Sequence, residues 1–215
     1  MNNKLSFQSI QNYLQQHVDE RPREMQIMED YASKRKFPII GPVAGNYCYQ
    51  IARMIRATNV FELGSGYGYS TAWFARAVKE NGGGTVHHVV WDTDLSNKAK
   101  IHLERLGYKD IVKYHVGEAI DTLENNRGPY DLIFNDIEKD SYPLSFQVIE
   151  QCIKLGGVLI VDNMFLNGRI INDEVQDASV EGVREMLKLI HNSHKWISSI
   201  VPIRDGLLVA YRICS

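Results

Sequence analysis

Hydrophobic and polar positions alternate in blocks along this chain, and the period of each block predicts its secondary structure. Five apolar runs of strand length are separated by stretches with helical spacing: NVFELG, TVHHVVWD, IVKYHVG, DLIFND and GGVLIVDN. Two further runs, SSIVPIR and GLLVAYRI, are joined at Asp205 and Gly206 by what we expect to be a tight turn. The pattern predicts an α/β fold: a mostly parallel seven-stranded sheet with a C-terminal antiparallel hairpin and helices on both faces.

The first part of the chain has helical spacing and no strand pattern. Residues 5–36 are expected to form an N-terminal helical cap, and the turn-rich FPIIGPVAGN leads to a helix predicted from Tyr47 to Arg56. Further helices are predicted around 143–154 and around 180–192, the latter starting at Ser179 to Glu181. These helices flank the strand runs and are expected to cover the sheet.

Size and composition indicate a soluble globular protein. The chain has 215 residues and a mass of 24.6 kDa, which suits a single domain over 1–215, with a cap at 1–36 and a core at 37–215. Its three cysteines, Cys48, Cys152 and Cys214, are far apart and have no metal-binding spacing, so we expect reduced thiols.

Charge and hydropathy disfavour some partners. The net charge is -2 and the pI is near 6.4, so no basic excess suggests a nucleic-acid or anionic-membrane surface. The chain shows neither a signal-peptide pattern nor an apolar run of membrane-spanning length. A cytoplasmic location without a membrane partner is the expectation.

Two strand runs end in oxygen-bearing side chains. DLIFND ends at Asp136, and GGVLIVDN ends at Asp162 and Asn163. Neighbouring parallel strands end at the same edge of a sheet, where ligands bind, and oxygen ligands suit a hard divalent cation. The pattern predicts a metal-assisted enzyme.

The turn FELGSGYGYS places glycines at Gly64, Gly66 and Gly68, between the first strand and a helix. Glycines let a ligand approach the backbone, and the helix N-terminus offers free amides to a negative group. A nicotinamide site would favour GxGxxG, whereas the sixth position here is Tyr69. A glycine turn that only packs helix on strand is the alternative.

Three carboxylates flank this turn and the next strand. Glu62 lies in an apolar strand, where an unpaired carboxylate would be costly, so we expect it to face a ligand or amides; a structural salt bridge is the alternative. Asp92 lies where an acidic residue usually meets a ribose diol. Asp94 is the better candidate for capping the following helix, which is expected to begin near Leu95.

Six segments, in this order, resemble S-adenosylmethionine-dependent O-methyltransferases of the catechol and caffeoyl-CoA type: FELGSGYGYS, VVWD, VGEA, DLIFNDIEK, GGVLIVDNMFLNG and PIRDGLLVAYR. The similarity runs from about Phe37 to Arg212, and relatives often form dimers. The resemblance implies a Rossmann-like methyltransferase fold, S-adenosylmethionine as cofactor, a divalent metal and a possible homodimer.

Matched position by position, the resemblance assigns roles to individual residues. The cofactor would be bound by Ile40, Glu62, Gly64, Ser70, Asp92, Gly117, Ala119 and Asp136. The metal ligands would be Asp136, Asp162 and Asn163, and the substrate would contact Asp136 and Asn167. Lys139 would be the catalytic base.

The implied chemistry is physically reasonable. A phenolic hydroxyl is mostly protonated at neutral pH, and a divalent metal favours its anion while fixing the neighbouring hydroxyl. Mg²⁺ is expected, with Ca²⁺ or Mn²⁺ as alternatives. Lys139 could accept the proton; the simpler alternative is an ion pair with Glu138 or Asp140.

Other conspicuous residues have structural interpretations. Strand alternation would bury one of His87 and His88 and expose the other. Trp73, Trp91 and Trp196 are expected to lie in the core or to cover its faces, although an aromatic ring could also steer a planar substrate.

Two segments depart from the family pattern or vary with the substrate. Asn135 stands where relatives carry an apolar residue before the metal-binding aspartate. The segment Arg169 to Ser179 becomes polar and acidic, as expected for a mobile loop over the acceptor pocket. Substrate choice is expected to depend on this loop and on the N-terminal helices.

The leading hypothesis is divalent-metal-dependent methyl transfer to a hydroxyl of a small catechol-like or other vicinal dihydroxy substrate. A second keeps this chemistry but acts on a hydroxylated tRNA nucleoside, which the absent basic excess disfavours. From other classes, an NAD-dependent oxidoreductase and a non-catalytic cofactor-binding protein stay open.

Overall fold

The computed structural model describes residues 6–214 and contains one seven-stranded sheet. Its strands are β1 Asn59–Leu63, β2 Thr85–Val90, β3 Val112–Val116, β4 Tyr130–Asn135, β5 Ile153–Val161, β6 Trp196–Val201 and β7 Leu207–Arg212. The strand order is β3-β2-β1-β4-β5-β7-β6. The first five strands are parallel, and β7 runs antiparallel to both β5 and β6. The predicted sheet and its terminal hairpin are confirmed.

Eight α-helices cover the sheet in the described part of the chain. They are α1 Phe7–Gln15, α2 Arg23–Arg35, α3 Gly41–Met54, α4 Tyr69–Glu80, α5 Thr93–Arg105, α6 Ala119–Asn125, α7 Tyr142–Cys152 and α8 Ala178–Asn192. Two 3-10 turns, Lys139–Ser141 and Leu166–Ile171, follow the ends of β4 and β5. Within residues 6–214, no helix has the length and apolar character needed to cross a membrane.

The sheet separates two hydrophobic clusters, one on each face. One cluster contains Trp73 and Phe74 of α4 together with Met25 and Met28 of α2, so α2 packs into the core, whereas α1 has no buried residue. The other is built around Phe61, with side chains of α6, α7 and α8. Every residue of β4 is buried because helices cover both of its faces.

The two adjacent histidines on β2 are both buried, so the predicted alternation of one buried and one exposed ring is wrong. His87 is 9% exposed and His88 is 0% exposed. Alternation between core and solvent holds for a sheet with one wet face, whereas β2 lies between β1 and β3 with both faces covered. His87 stacks on His115, with ring centroids 5.2 Å apart.

Several boundaries differ from the predicted ones. Helix α3 begins at Gly41, before the predicted Tyr47, because Pro42 fits the first turn of a helix, where its missing N–H is not needed. Helix α8 begins at Ala178 and is capped by Asp177. The hairpin loop spans residues 202–206 and is longer than a two-residue turn.

Candidate active site

Two cavities meet at the edge of the sheet where the parallel strands end. The first, of about 800 Å³, lies beyond β1, β2 and β4, and the second, of about 1010 Å³, lies between α1, the start of α3 and the β6–β7 loop. Both cavities are lined by Pro38, Ile40, Asn163 and Arg204. The two cavities are therefore adjacent, with these residues between them.

Predicted site residues divide between the cavities and the layer behind them. The first cavity is lined by Ile40, Gly64, Ser70, Gly117, Ala119, Asp136, Lys139 and Asn163. Asn167 lines the second cavity. Glu62 and Asp162 are fully buried and line neither cavity, and Asp92 follows the lining residue Trp91.

The glycine turn after β1 is required by close backbone packing. Gly64 has a φ of +83°, and a Cβ built on it would lie 2.3 Å from the backbone oxygen of Asp136. Only glycine satisfies both conditions. At the end of the turn, Gly68 is the N-cap of α4 and provides no side-chain cap, so the first amides of α4 stay available to a ligand.

Glu62 is a buried carboxylate with an unused oxygen. Its Oε2 accepts a hydrogen bond from Thr71 Oγ1 at 2.5 Å, and the same hydroxyl lies 3.0 Å from His88 Nδ1. Within residues 6–214, Oε1 has no hydrogen-bond partner. Burial raises the pKa of Glu62 to about 7, against the lowering effect of nearby hydroxyls. The salt-bridge alternative is wrong, and the free oxygen suits a ligand ammonium group.

Asp92 caps α5, so the assignment of that role to Asp94 is wrong. The Asp92 Oδ1 atom accepts a hydrogen bond from the backbone N–H of Leu95 at 2.9 Å. An aspartate three residues before the accepted N–H is a regular N-cap. The preceding Trp91 is 76% exposed and lines the first cavity, so of the roles predicted for it the core placement is wrong, whereas steering of a planar molecule stays a prediction.

Asp162 directly follows β5 and is a fully buried carboxylate. Its Oδ1 accepts the backbone N–H of Asn163 at 2.8 Å, and its Oδ2 accepts the Nη1–H of Arg204 at 2.5 Å. Burial and the charge of Asp136 raise the pKa of Asp162 to about 6, while Arg204 opposes that rise. At neutral pH the carboxylate is therefore mostly ionised and paired with the guanidinium.

Lys139 is paired with Asp136, and the predicted alternative of an ion pair with Glu138 or Asp140 is wrong. Its Nζ donates to Asp136 Oδ1 and to the Ile137 carbonyl, each at 2.9 Å. In this arrangement the Lys139 ammonium donates hydrogen bonds. A base role requires the contact with Asp136 to break, so that role stays a prediction.

Asp205 connects the β6–β7 loop to the segment after β5. Its Oδ1 accepts the backbone N–H of Asn167 at 2.7 Å, and its Oδ2 accepts the Nδ2–H of Asn163 at 3.2 Å. Both asparagines have left-handed backbones, with φ of 60° at Asn163 and 55° at Asn167, a conformation that asparagine tolerates well. This places Asn163 and Asn167 beside the second cavity.

Arg204 is the main site residue that sequence reasoning missed. Its φ is +52°, and a side chain in this region costs roughly 1–2 kcal/mol relative to glycine. Its backbone N–H donates to Gln11 Oε1 of α1 at 2.9 Å. A signal was present: β7 is antiparallel to β5, so the loop preceding β7 must return to the edge where β5 ends.

The side chains do not fit a divalent cation. Asp136, Asp162 and Asn163 are gathered at one strand edge as predicted, but cationic side chains already occupy both carboxylates. Oδ1 of Asp162 accepts an amide proton and its Oδ2 accepts the guanidinium. Among residues 6–214, no three His, Cys, Asp or Glu side chains form a metal-binding group. Metal binding stays an untested prediction that these contacts disfavour.

The fold and the two cavities define a Rossmann-like methyltransferase architecture. The O-methyltransferase TomG from Streptomyces achromogenes, solved in complex with SAM, superimposes with a TM-score of 0.86 at 24% identity, covering 96% of each chain. Catechol O-methyltransferase from Niastella koreensis is 28% identical over 190 residues, 86% of this chain and 85% of the relative. Catechol O-methyltransferase from Mycobacterium tuberculosis is 32% identical over 147 residues, 68% of this chain and 66% of the relative.

The sequence model of the O-methyltransferase family matches residues 17–213. This chain therefore belongs to the O-methyltransferase family, and the resemblance inferred from its motifs is confirmed.

Proposed function

We propose that this protein transfers a methyl group from S-adenosylmethionine to a hydroxyl of a small catechol-like or other vicinal dihydroxy substrate. The observation that carries the proposal is the pair of cavities with a common wall at Ile40, Asn163 and Arg204. Methyl transfer needs donor and acceptor held in direct contact and in line. Relatives named catechol O-methyltransferase support the choice of acceptor.

The first cavity has the features that the cofactor needs. Its glycine turn would admit a ligand close to the backbone, and the start of α4 offers amides to a carboxylate, near Ser70. Glu62 lies behind the wall of this cavity, so that wall would have to open for its unused oxygen to accept from the ammonium group of the methionine part. Asp92 would take the ribose hydroxyls, and Gly117 and Ala119 would border the adenine.

The second cavity is the proposed acceptor site. Among its lining residues are three amide side chains of α1 and one of the segment after β5: Gln8, Gln11, Gln15 and Asn167. The Gln11 amide is already bonded within the protein, and the others offer hydrogen bonds without charge, which suits a neutral polyhydroxylated molecule. Helix α1 forms one wall, so substrate choice depends on the N-terminal helices, as proposed from the sequence.

Lys139 lines only the first cavity, so it would have to reach the acceptor oxygen across the shared wall. Bound S-adenosylmethionine supplies a methyl group on a positively charged sulfur, which keeps the electron pair of the broken S–C bond. Once Lys139 has left Asp136 and lost a proton to solvent, its neutral amine would accept the proton of the acceptor hydroxyl. That oxygen would then form the new O–C bond. The products are a methyl ether, S-adenosylhomocysteine and the protonated lysine.

The first prediction concerns Lys139. We expect Lys139→Ala to lower kcat by about a hundredfold or more, because general base catalysis contributes at least that much. S-adenosylhomocysteine affinity is measured alongside, because Lys139 also lines the first cavity. The assay is transfer of a labelled methyl group to a catechol panel, with calorimetry for binding. Lys34→Ala, an exposed position on α2, is the matched control.

Other outcomes would favour the competing functions. Transfer of the labelled methyl group to isolated tRNA, with no transfer to the catechols, would favour a nucleoside acceptor. Binding of NADH without S-adenosylhomocysteine would favour an oxidoreductase. Cofactor binding without transfer to any acceptor would favour a non-catalytic protein. Each of these results would contradict the proposal.

A further inference from the structure

We propose that Arg204 takes the place of a divalent cation in this active site. In this proposal its guanidinium neutralises Asp162 and holds the two oxygens of the vicinal acceptor, so that methyl transfer needs no metal. The inference rests on the proposed function and names the residue that binds the reacting oxygen.

The first support is the position of the guanidinium. Asp162 is 0% exposed, and its Oδ2 accepts from Arg204 Nη1 at 2.5 Å. Its other oxygen accepts the backbone N–H of Asn163. A cation that coordinated Asp162 would have to displace the guanidinium and then lie beside it. Like charges at that distance repel strongly where water is excluded.

The second support is the charge balance at the strand ends. Lys139 pairs with Asp136 and Arg204 pairs with Asp162, so each carboxylate of the predicted metal site has its own cation. The nearby Asp205 is held by amide donors of Asn163 and Asn167. The ligand pair Asp136 and Asp162 thus lacks the uncompensated double negative charge that attracts a divalent ion.

The third support is the backbone conformation at Arg204 and the hydrogen bonds that hold it. Arg204 adopts a φ of +52°, where glycine would be strain-free. Its N–H is bound by Gln11 Oε1, and Gln11 Nε2 donates to the Pro202 carbonyl at 3.4 Å. Gly206 N–H closes the loop onto the Ile203 carbonyl at 2.9 Å. A strained residue held by several contacts is typical of a functional site.

The fourth support is the unused edge of the guanidinium. Within the described range 6–214, Nη1 bonds to Asp162, whereas Nε and Nη2 have no hydrogen-bond acceptor. Arg204 lines both cavities and its side chain is 32% exposed. Two parallel N–H groups in a rigid plane match two neighbouring oxygens. This edge would hold the vicinal pair and favour the oxygen anion after its proton has left.

The experiment compares the wild-type protein with three variants. Arg204→Gly removes the guanidinium and relaxes the backbone, and Arg204→Lys keeps the charge without the planar edge. Arg56→Gly is the matched control, because Arg56 is exposed, has a φ of +52° and lies before β1, at the opposite edge of the sheet. Mg²⁺ and Mn²⁺ binding is measured by calorimetry, and methyl transfer is measured with EDTA and with Mg²⁺.

We expect wild type and Arg56→Gly to bind neither ion and to turn over equally with EDTA and Mg²⁺. Arg204→Gly should bind one ion and lose at least about tenfold in turnover with EDTA, with partial recovery in Mg²⁺. Arg204→Lys should bind no ion and lose turnover without recovery in Mg²⁺. Wild-type binding of one ion, with turnover lost in EDTA, would overturn the inference.

Failure of the proposed function would give a different result. If no variant methylates any acceptor, with or without metal, the function fails, but the calorimetric comparison still reports on Arg204. If Arg204→Gly binds no ion and turns over like wild type with EDTA, the role of Arg204 fails while the function stands.

Discussion

At the scale of single residues, Glu62 shows how burial can prepare a group for a ligand. Its pKa is raised to about 7 from an ordinary value of 4.5, mainly by burial. A carboxyl whose pKa is raised in the folded state stabilises the fold below its unfolded pKa, and this contribution is lost as pH rises through the folded value. A bound ammonium group would reverse the effect by favouring the carboxylate.

The second prediction follows from that shift. We expect wild type to lose stability relative to Glu62→Gln as pH rises from 5 to 8, by up to about 3 kcal/mol, because only wild type must ionise a buried carboxyl. The measurement is the free energy of unfolding in urea at both pH values, without ligand. Equal differences between the two proteins at pH 5 and pH 8 would contradict it.

Sequence reasoning located many site residues but not their contacts. Glu62 stood out because a carboxylate is unusual in an apolar strand, and Gly64 because a glycine turn between a strand and a helix lets a ligand approach the backbone. Arg204 did not, because an arginine in a loop is ordinary until its partner is known. Arg204 matters because it binds Asp162, which lies 42 residues earlier in the sequence. The sheet topology brings these two distant segments together.

At the scale of elements, the contact between α8 and the Lys139–Ser141 turn holds the proposed base in place. A Cβ built on Gly182 of α8 would lie 2.1 Å from the Lys139 carbonyl oxygen and 2.8 Å from Asp140 Cα. The helix therefore packs directly on the backbone that carries Lys139, and glycine is the residue that permits this approach.

The third prediction tests this contact. Gly→Ala inside a helix normally stabilises by roughly 0.5–1 kcal/mol, but we expect Gly182→Ala to destabilise by about 1–3 kcal/mol, because the new methyl group overlaps backbone atoms. Urea unfolding measures the change. Glu185→Ala, at an exposed position of α8, is the control and should change stability by less than about 0.5 kcal/mol. A stabilised Gly182→Ala variant would exclude the close contact.

The elements themselves were largely predictable, and their ends were not. Apolar runs identified all seven strands, most clearly the covered parallel ones such as β4, which must be apolar along their length. Helix starts depended on caps: Asp177 and Asp92 compete with nearby polar residues of similar capping ability. The His87 and His88 error came from applying the alternation of a half-exposed sheet to a strand covered on both faces.

At the scale of the whole molecule, the topology explains how distant segments form one site. The parallel strands β1, β2, β4 and β5 end at one edge, and the antiparallel β7 starts there. Helix α1 reaches the same edge through the hydrogen bond between Gln11 and Arg204. The single-domain division, a homodimer and a cytoplasmic location stay predictions.

The account depends most on the first cavity being the S-adenosylmethionine site, and calorimetric titration with S-adenosylhomocysteine tests this directly. We predict one bound molecule per chain, no binding of NADH, and an affinity at least about tenfold weaker in Gly64→Ala, whose new Cβ would lie 2.3 Å from the Asp136 carbonyl oxygen. Gly168→Ala, with a similar φ of +87° and open space, should bind as wild type does. Binding of NADH in place of S-adenosylhomocysteine would contradict the account.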